Sequence, residues 1–232
     1  MNESLQTSYP GFAGGAVLAE QRNRVLRNTY WLLALSLVPT VLGAWIGVST
    51  GIVAAMGVGM STIVFLVGAF GFMFAIEKFK NSSAGVGLLL AFTFFMGLML
   101  SRMLAAVLGF SNGATLIMYA FGGTALSFFA MASLATVIKR DLSGMGKFLF
   151  IGAIMLLVAG IANIFLQSSA MMLTLSVIAV GLFSAFLLYD IKRIIDGGET
   201  NYVSATLAIY LDLYNIFQSL LAILGIAGGD RE

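Results

Sequence analysis

Seven apolar runs, each long enough to cross a bilayer, follow one another through this 232-residue chain with almost nothing between them. A membrane-spanning helix needs roughly 20 consecutive apolar residues, whereas a barrel strand needs about half that. The runs fall at 29–49, 52–76, 84–108, 114–138, 148–166, 171–191 and 203–225. In hydrocarbon every backbone N–H and C=O must find its partner inside the protein, so runs of this length can only be helices. Composition points the same way: 60% of the residues are hydrophobic and only 9% charged, against roughly a quarter charged in a soluble domain. The sequence predicts an all-α integral membrane protein with seven transmembrane helices and the lipid bilayer as its solvent.

The basic residues orient it. Arg22, Arg24 and Arg27 precede the first run, Lys78 and Lys80 follow the second, Lys139, Arg140 and Lys147 lie between the fourth and fifth, and Lys192 and Arg193 follow the sixth. All fall on one side of a seven-span arrangement, and cytoplasmic loops are the ones that retain Lys and Arg. The expected N-terminus is cytoplasmic and the C-terminus is on the outer side. Residues 1–28, polar and containing Pro10, are expected to form a partly disordered cytoplasmic segment, 29–226 the membrane domain and 227–232 a short tail. No apolar core and cleavage site of a signal peptide precede the first run.

Several chemistries are excluded. The chain has no cysteine and no histidine, which removes thiol nucleophiles, disulfides, Cys-based metal sites and a Ser–His hydrolase. No basic run of the kind that binds nucleic acid is present. Nothing in the sequence asks for a cofactor, and the many Met and Phe residues read as core and lipid contact.

Against this background two carboxylates stand out. Asp190 and Asp212 each sit in a strongly apolar stretch, on consecutive helices joined by a short loop. An ionisable group in hydrocarbon costs several kcal/mol unless paired or wetted, so it marks a functional site. Asp212, Asn215 and Ser219 recur at i, i+3 and i+7, a narrow polar stripe suited to close helix contact. Two carboxylates a hydrogen bond apart cannot both ionise cheaply, so they share a proton and titrate as a pair. Such a pair is a proton-operated latch: holding a proton it bridges two helices, and losing it the helices are pushed apart or recruit a cation. Calcium takes six to eight oxygens, more than this site offers, so Asp190 and Asp212 suit a weak calcium transit site rather than a store. Two simpler roles stay open: surface pairing of Asp190 with Lys192 or Arg193, and a structural hydrogen bond for Asp212. Lys78 is a further counter-charge candidate for Asp190.

The segments Leu188-Tyr189-Asp190-Ile191, Gly197-Gly198-Glu199-Thr200-Asn201-Tyr202 and Tyr210-Leu211-Asp212-Leu213-Tyr214-Asn215-Ile216-Phe217 resemble the Bax inhibitor-1 family. Phe121-Gly122-Gly123-Thr124-Ala125-Leu126-Ser127-Phe128 is a second match. The stretch Val25-Leu26-Arg27-Asn28-Thr29-Tyr30 and the Gly197–Tyr202 loop are similar to the bacterial inner-membrane branch, which includes a modulator of the FtsH protease. The resemblance covers nearly everything from residue 22 onward. It implies seven helices with the last one central and surrounded by the other six. It also implies a pH-sensitive calcium leak gated by paired aspartates that match Asp190 and Asp212. Its inner-membrane branch implies a second function, modulation of a membrane protease such as FtsH. The chain departs from the family where many members carry Gly-Pro near the end of the third helix and this one has Ser101-Arg102.

Catalysis fits less well. Intramembrane aspartyl proteases also place Asp on two adjacent spans, but their second site resembles Gly-x-Gly-Asp, and here bulky Tyr210 and Leu211 precede Asp212. Retinal-type light sensing lacks a lysine in the last run. The chain is therefore read as a non-enzyme. Gly43, Gly47 and Gly51, spaced by four, are expected to form a close-contact face. Arg102 is expected to snorkel to the membrane surface, and Glu77 to pair locally with Lys78.

Overall fold

The computed structural model describes residues 10–228, with side chains from residue 20 onward. Within that range the order is α1 (Pro10–Thr50), α2 (Ile52–Ala55), α3 (Gly57–Phe79), α4 (Ser83–Leu108), α5 (Gly113–Val137), α6 (Met145–Leu166), α7 (Ser169–Ile195) and α8 (Tyr202–Gly228). All but the single turn α2 are long and apolar enough to cross a membrane, giving the seven spans expected.

Two boundaries differ from the apolar runs. α1 begins at Pro10, whose fixed φ and missing N–H suit the first turn of a helix, so much of the segment placed ahead of the membrane is already helical. Residues 1–9 and 229–232, including the ends of that segment and of the tail, lie outside the described residues. The second run does not start at 52 as a continuous span, because Gly51 and Gly57 adopt φ of +66° and +71°. That left-handed backbone ends a helix and is cheap only for glycine, so α2 stops after four residues and the span proper is α3.

α8 is the central element. It packs against α7, α5, α1 and α4 and more lightly against α3, while α6 packs chiefly on α7. The last helix is thus central, but its surround is incomplete: α6 stands behind α7 rather than against α8. The closest seam joins α1 to α4. A Cβ at Gly97 would run into the backbone of Thr40, one at Gly43 into the backbone of Phe94, and one at Gly47 into the Ser101 side chain. Small residues let helices approach to backbone distance where lipid supplies no hydrophobic drive. Gly51 drops out of that face: it has open space around it and serves the turn instead. Large apolar side chains such as Trp31, Trp45, Phe74 and Phe165 point outward and are more than 60% exposed, as lipid contact requires.

Candidate functional site: a pair of aspartates between the last two helices

α7 and α8 form a tight antiparallel hairpin, and its loop is built to hold them in register. Gly197 takes φ +80°. The N–H groups of Gly197 and Gly198 then donate to the carbonyls of Ile194 and Arg193 at 3.1 and 2.8 Å, closing the end of α7. Asn201 opens α8: its Oδ1 accepts from the Val203 and Ser204 N–H groups at 2.9 and 3.1 Å, satisfying amides that a helix start leaves unpaired. The Asn201 side-chain nitrogen donates to the Lys80 carbonyl at 3.2 Å and the Asn81 side chain at 2.8 Å. One residue therefore caps α8 and ties the hairpin to the α3–α4 turn.

This hairpin brings the two aspartates together. Asp190, half-buried five residues before the end of α7, and Asp212, buried ten residues into α8, come close enough for their side chains to interact. A hydrogen bond between two carboxyls requires that one of them hold a proton. Asp212 is 4% exposed, and its Oδ2 has no hydrogen-bond partner among the described residues. A buried acceptor with no donor is costly and calls for an explanation.

Charged groups surround the end of α7 nearest Asp190. Arg193 pairs with Glu199 at 3.2 Å and acts electrostatically on Asp190 and on Glu77. Glu199 acts on Asp190 with the opposite sign, and its Oε1 accepts from the Thr200 and Asn201 amides at 3.0 and 2.9 Å. Glu77, beside Ser204 of α8, accepts from Lys80 at 2.8 Å. That hydrogen bond to Glu77 raises the Lys80 ammonium above its ordinary pKa. Arg193, expected as a supporting polar residue, is close enough to act on Asp190 but has its ion pair with Glu199. The surface-pairing role for Asp190 is filled in part, since Arg193 is near it, whereas Lys192 is taken by Asp196 at 2.8 Å.

Three other expected members do not join the pair. Lys78 is exposed and lies over the Phe79 ring at 5.7 Å, so it is not the counter-charge of Asp190. Its position one residue after Glu77 points it to another side of the helix, and Glu77 pairs with Lys80 at i+3 instead. Asn215 donates to the Leu211 carbonyl of its own helix at 2.8 Å. Ser219 is half-buried further along the same stripe. Arg102 does not snorkel freely: it donates to the Ser61 hydroxyl at 3.3 Å, between α4 and α3.

The sequence reading also missed a second polar seam on α8. Tyr210 and Tyr214 flank Asp212 by two residues, about 200° round the helix on either side, so they face away from it. The Tyr210 hydroxyl hydrogen-bonds Thr40 of α1 at 2.9 Å and donates to the Thr93 carbonyl of α4 at 3.4 Å. Tyr214 donates to the Met96 carbonyl at 3.3 Å. The i, i+4 spacing of two phenols in an apolar run was the available signal, because a buried Tyr hydroxyl usually finds a partner. Among the described residues no group of three or more acidic, His or Cys side chains could cage a metal ion.

Comparison with known proteins gives the same picture over the whole body. Residues 22–229 match the family described as inhibitor of apoptosis-promoting Bax1. An uncharacterized membrane protein of Vibrio cholerae is 40% identical, over 89% of this chain and 91% of its own length. The modulator of FtsH protease YccA of Escherichia coli strain K12 is 39% identical, over 90% of this chain and 92% of its own. The inner membrane protein YccA of Escherichia coli O6:H1 matches to the same extent. Since the matches run from α1 to the end of α8 and include both aspartate-bearing helices, the chain belongs to the Bax inhibitor-1 family.

Proposed function

We propose that this protein is a proton-operated cation leak of the bacterial inner membrane, with calcium as the transported ion and Asp190 and Asp212 as its gate. The observation that carries this reading is the acid–acid contact between α7 and α8, with Asp212 Oδ2 buried and unpartnered. With a proton in the pair, the shared hydrogen bond holds the two helices together. When the proton leaves, two negative charges face each other in a medium of low dielectric, and repulsion either separates the helices or draws in a cation. Arg193 and Glu199 stand at the end of α7 and set the local field, and Asn215 and Ser219 continue the polar stripe along α8. The charge pattern of the loops supports a cytoplasmic N-terminus and a periplasmic C-terminus. No bond is made or broken in this scheme, so the reading is non-enzymatic.

The sign follows directly. Calcium flux from liposomes holding the purified protein rises as pH rises through the titration of the pair, no more steeply than about tenfold per pH unit, the limit for one proton. In Asp212→Asn and in Asp190→Asn that dependence disappears. Parent-like flux with a parent-like pH profile in Asp212→Asn rejects the gate.

A second reading is favoured by a specific observation, the name of the Escherichia coli relative, a modulator of FtsH protease. In this reading the helix bundle binds a membrane protease and restrains it. Copurification with FtsH, and altered substrate turnover that survives in the Asp190→Asn/Asp212→Asn double variant, select this function over conduction.

A further inference from the structure

The loop between α5 and α6, residues 138–144, lies at the same end of the bundle as the aspartate pair, close enough for Lys192 of α7 to act on Asp141. It is held in one shape. Leu142 is buried at 8% exposure within the main core, with Ile138 packed against it. The Met145 N–H donates to the Leu142 carbonyl at 2.8 Å. Asp141 spends its carboxylate locally, accepting from the Ser143 amide at 2.8 Å and the Ser143 hydroxyl at 3.0 Å.

Three exposed cations lie in this loop and the first turn of α6. Lys139, Arg140 and Lys147 have no carboxylate partner among the described residues, whereas Arg24, Lys80, Lys192 and Arg193 each hold one within 3.2 Å. Arg140 lines a cleft of about 430 Å³ together with Asp141, Leu142, Gly144, Met145 and Phe148. The cleft has two chemistries in sequence: a guanidinium at the loop and, one turn into α6, the Phe148 ring, 78% exposed. We propose that this cleft binds the phosphate of an anionic phospholipid, with Arg140 and Lys147 on the headgroup and Phe148 and Met145 against the glycerol and upper acyl chains.

The physical case is complementarity. The loop ends two membrane-spanning helices and so lies at headgroup depth. A guanidinium presents a donor fork that matches phosphate oxygens. Basic pockets between helices on the Lys/Arg-rich side of a membrane are sites for anionic headgroups. A soluble anion would use the cations alone, whereas the adjoining exposed aromatic surface is of use only to a ligand with a lipid tail. The site is independent of the proposed gate, although α6 touches α7 nearby: a Cβ at Gly146 would meet the Tyr189 hydroxyl at 2.7 Å.

The test uses the purified full chain in nanodiscs of phosphatidylcholine doped with phosphatidylglycerol, released for native mass spectrometry to count retained lipid. The parent retains phosphatidylglycerol over phosphatidylcholine. Arg140→Gln and Lys147→Gln each lower that preference about fivefold, the effect of one basic residue at an anionic bilayer surface, and excess inorganic phosphate does not displace the lipid. Lys78→Gln, at an exposed lysine in the last turn of α3, leaves it unchanged, and helicity by circular dichroism confirms that all variants fold. Parent-like retention in Arg140→Gln and Lys147→Gln together overturns the proposal. So does an equal fall in Lys78→Gln, which would mean diffuse surface charge, or full displacement by phosphate, which would mean a soluble-anion site.

Discussion

α6 and α8 are both long membrane-crossing helices, and their apolarity ranks them the wrong way round. α6 is the most apolar of the seven spans, yet only 6% of its membrane window is buried inside the protein; α8 is among the two least apolar, and 50% of its window is buried. In water the more hydrophobic helix would be the core. In a bilayer lipid tails are as apolar as leucine, so hydrophobicity does not draw a helix inward. What draws it inward is polarity that lipid cannot satisfy: Asp212 towards α7, Tyr210 and Tyr214 towards α1 and α4, Thr206 towards the Thr29 carbonyl. α6, whose polar side chains stay near its ends, is left on the outside.

The sharpest way to break this contrast is to put one methyl group in each environment. Gly97 of α4 lies where a Cβ would strike the Thr40 backbone of α1, while Gly160 of α6 has open space around it. Backbone cannot give way as a flexible side chain can, so Gly97→Ala is expected to cost about 2–3 kcal/mol, the upper part of the range for overpacked cores. Gly160→Ala costs nothing and gains up to about 1 kcal/mol from helix propensity. Thermal unfolding in detergent, followed by circular dichroism, reads both. Equal effects would mean that α6 is as enclosed as the α1–α4 seam and that the contrast is wrong.

The same reasoning explains what was legible in the sequence. The seven spans were readable because hydrocarbon imposes a length and leaves helices as the solution. The aspartate pair was readable because two acids in apolar runs joined by a short loop have few other places to go. Charged residues near the helix ends were harder, because several partners lie within reach of each. Glu77 was matched to its sequence neighbour Lys78, but on a helix the residue three positions on is the spatial neighbour, and Lys80 takes the bond. Arg102 was expected to reach for solvent, and its partner Ser61 lies 41 residues away on another helix. Gly51 kept the four-residue spacing of Gly43 and Gly47 but falls where α1 ends, and spacing alone does not reveal a φ of +66°. The position of α6 behind α7 left no mark in the sequence beyond its lack of internal polar groups.

The starts of the two helices sharpen the comparison at a smaller scale. α8 is capped by Asn201, which also bridges to the α3–α4 turn, whereas α6 is preceded by Gly144, which has no side chain to cap it and open space around it. Asn201→Ala is expected to lower stability by about 1 kcal/mol, the usual worth of an N-cap. Gly144→Ala is expected to be close to neutral. Hydrogen exchange localises the effect: in Asn201→Ala the first-turn amides Val203 and Ser204 exchange faster while the middle of α8 does not. Uniform loosening along α8 would show that its register depends on the loop rather than on its buried polar contacts.

The smallest expected effect concerns pH at the foot of α6. The Ser143 amide and hydroxyl hold the Asp141 carboxyl below its ordinary pKa. A carboxyl depressed on folding stabilises the folded state above its unfolded pKa, and that contribution is lost as pH falls through the lowered, folded value. Because Asp141 is fully exposed, solvent screens the gain, and its share of the acid limb is small. Asp141→Asn should therefore flatten the melting temperature against pH only at the acid end, and Ser143→Ala should do part of the same. Any pH dependence of stability that remains near neutrality in Asp141→Asn cannot come from this loop. Its disappearance in Asp212→Asn, but not in Asp141→Asn, would assign it to the polar centre of α8 and set the two helices apart in proton chemistry as well as in burial.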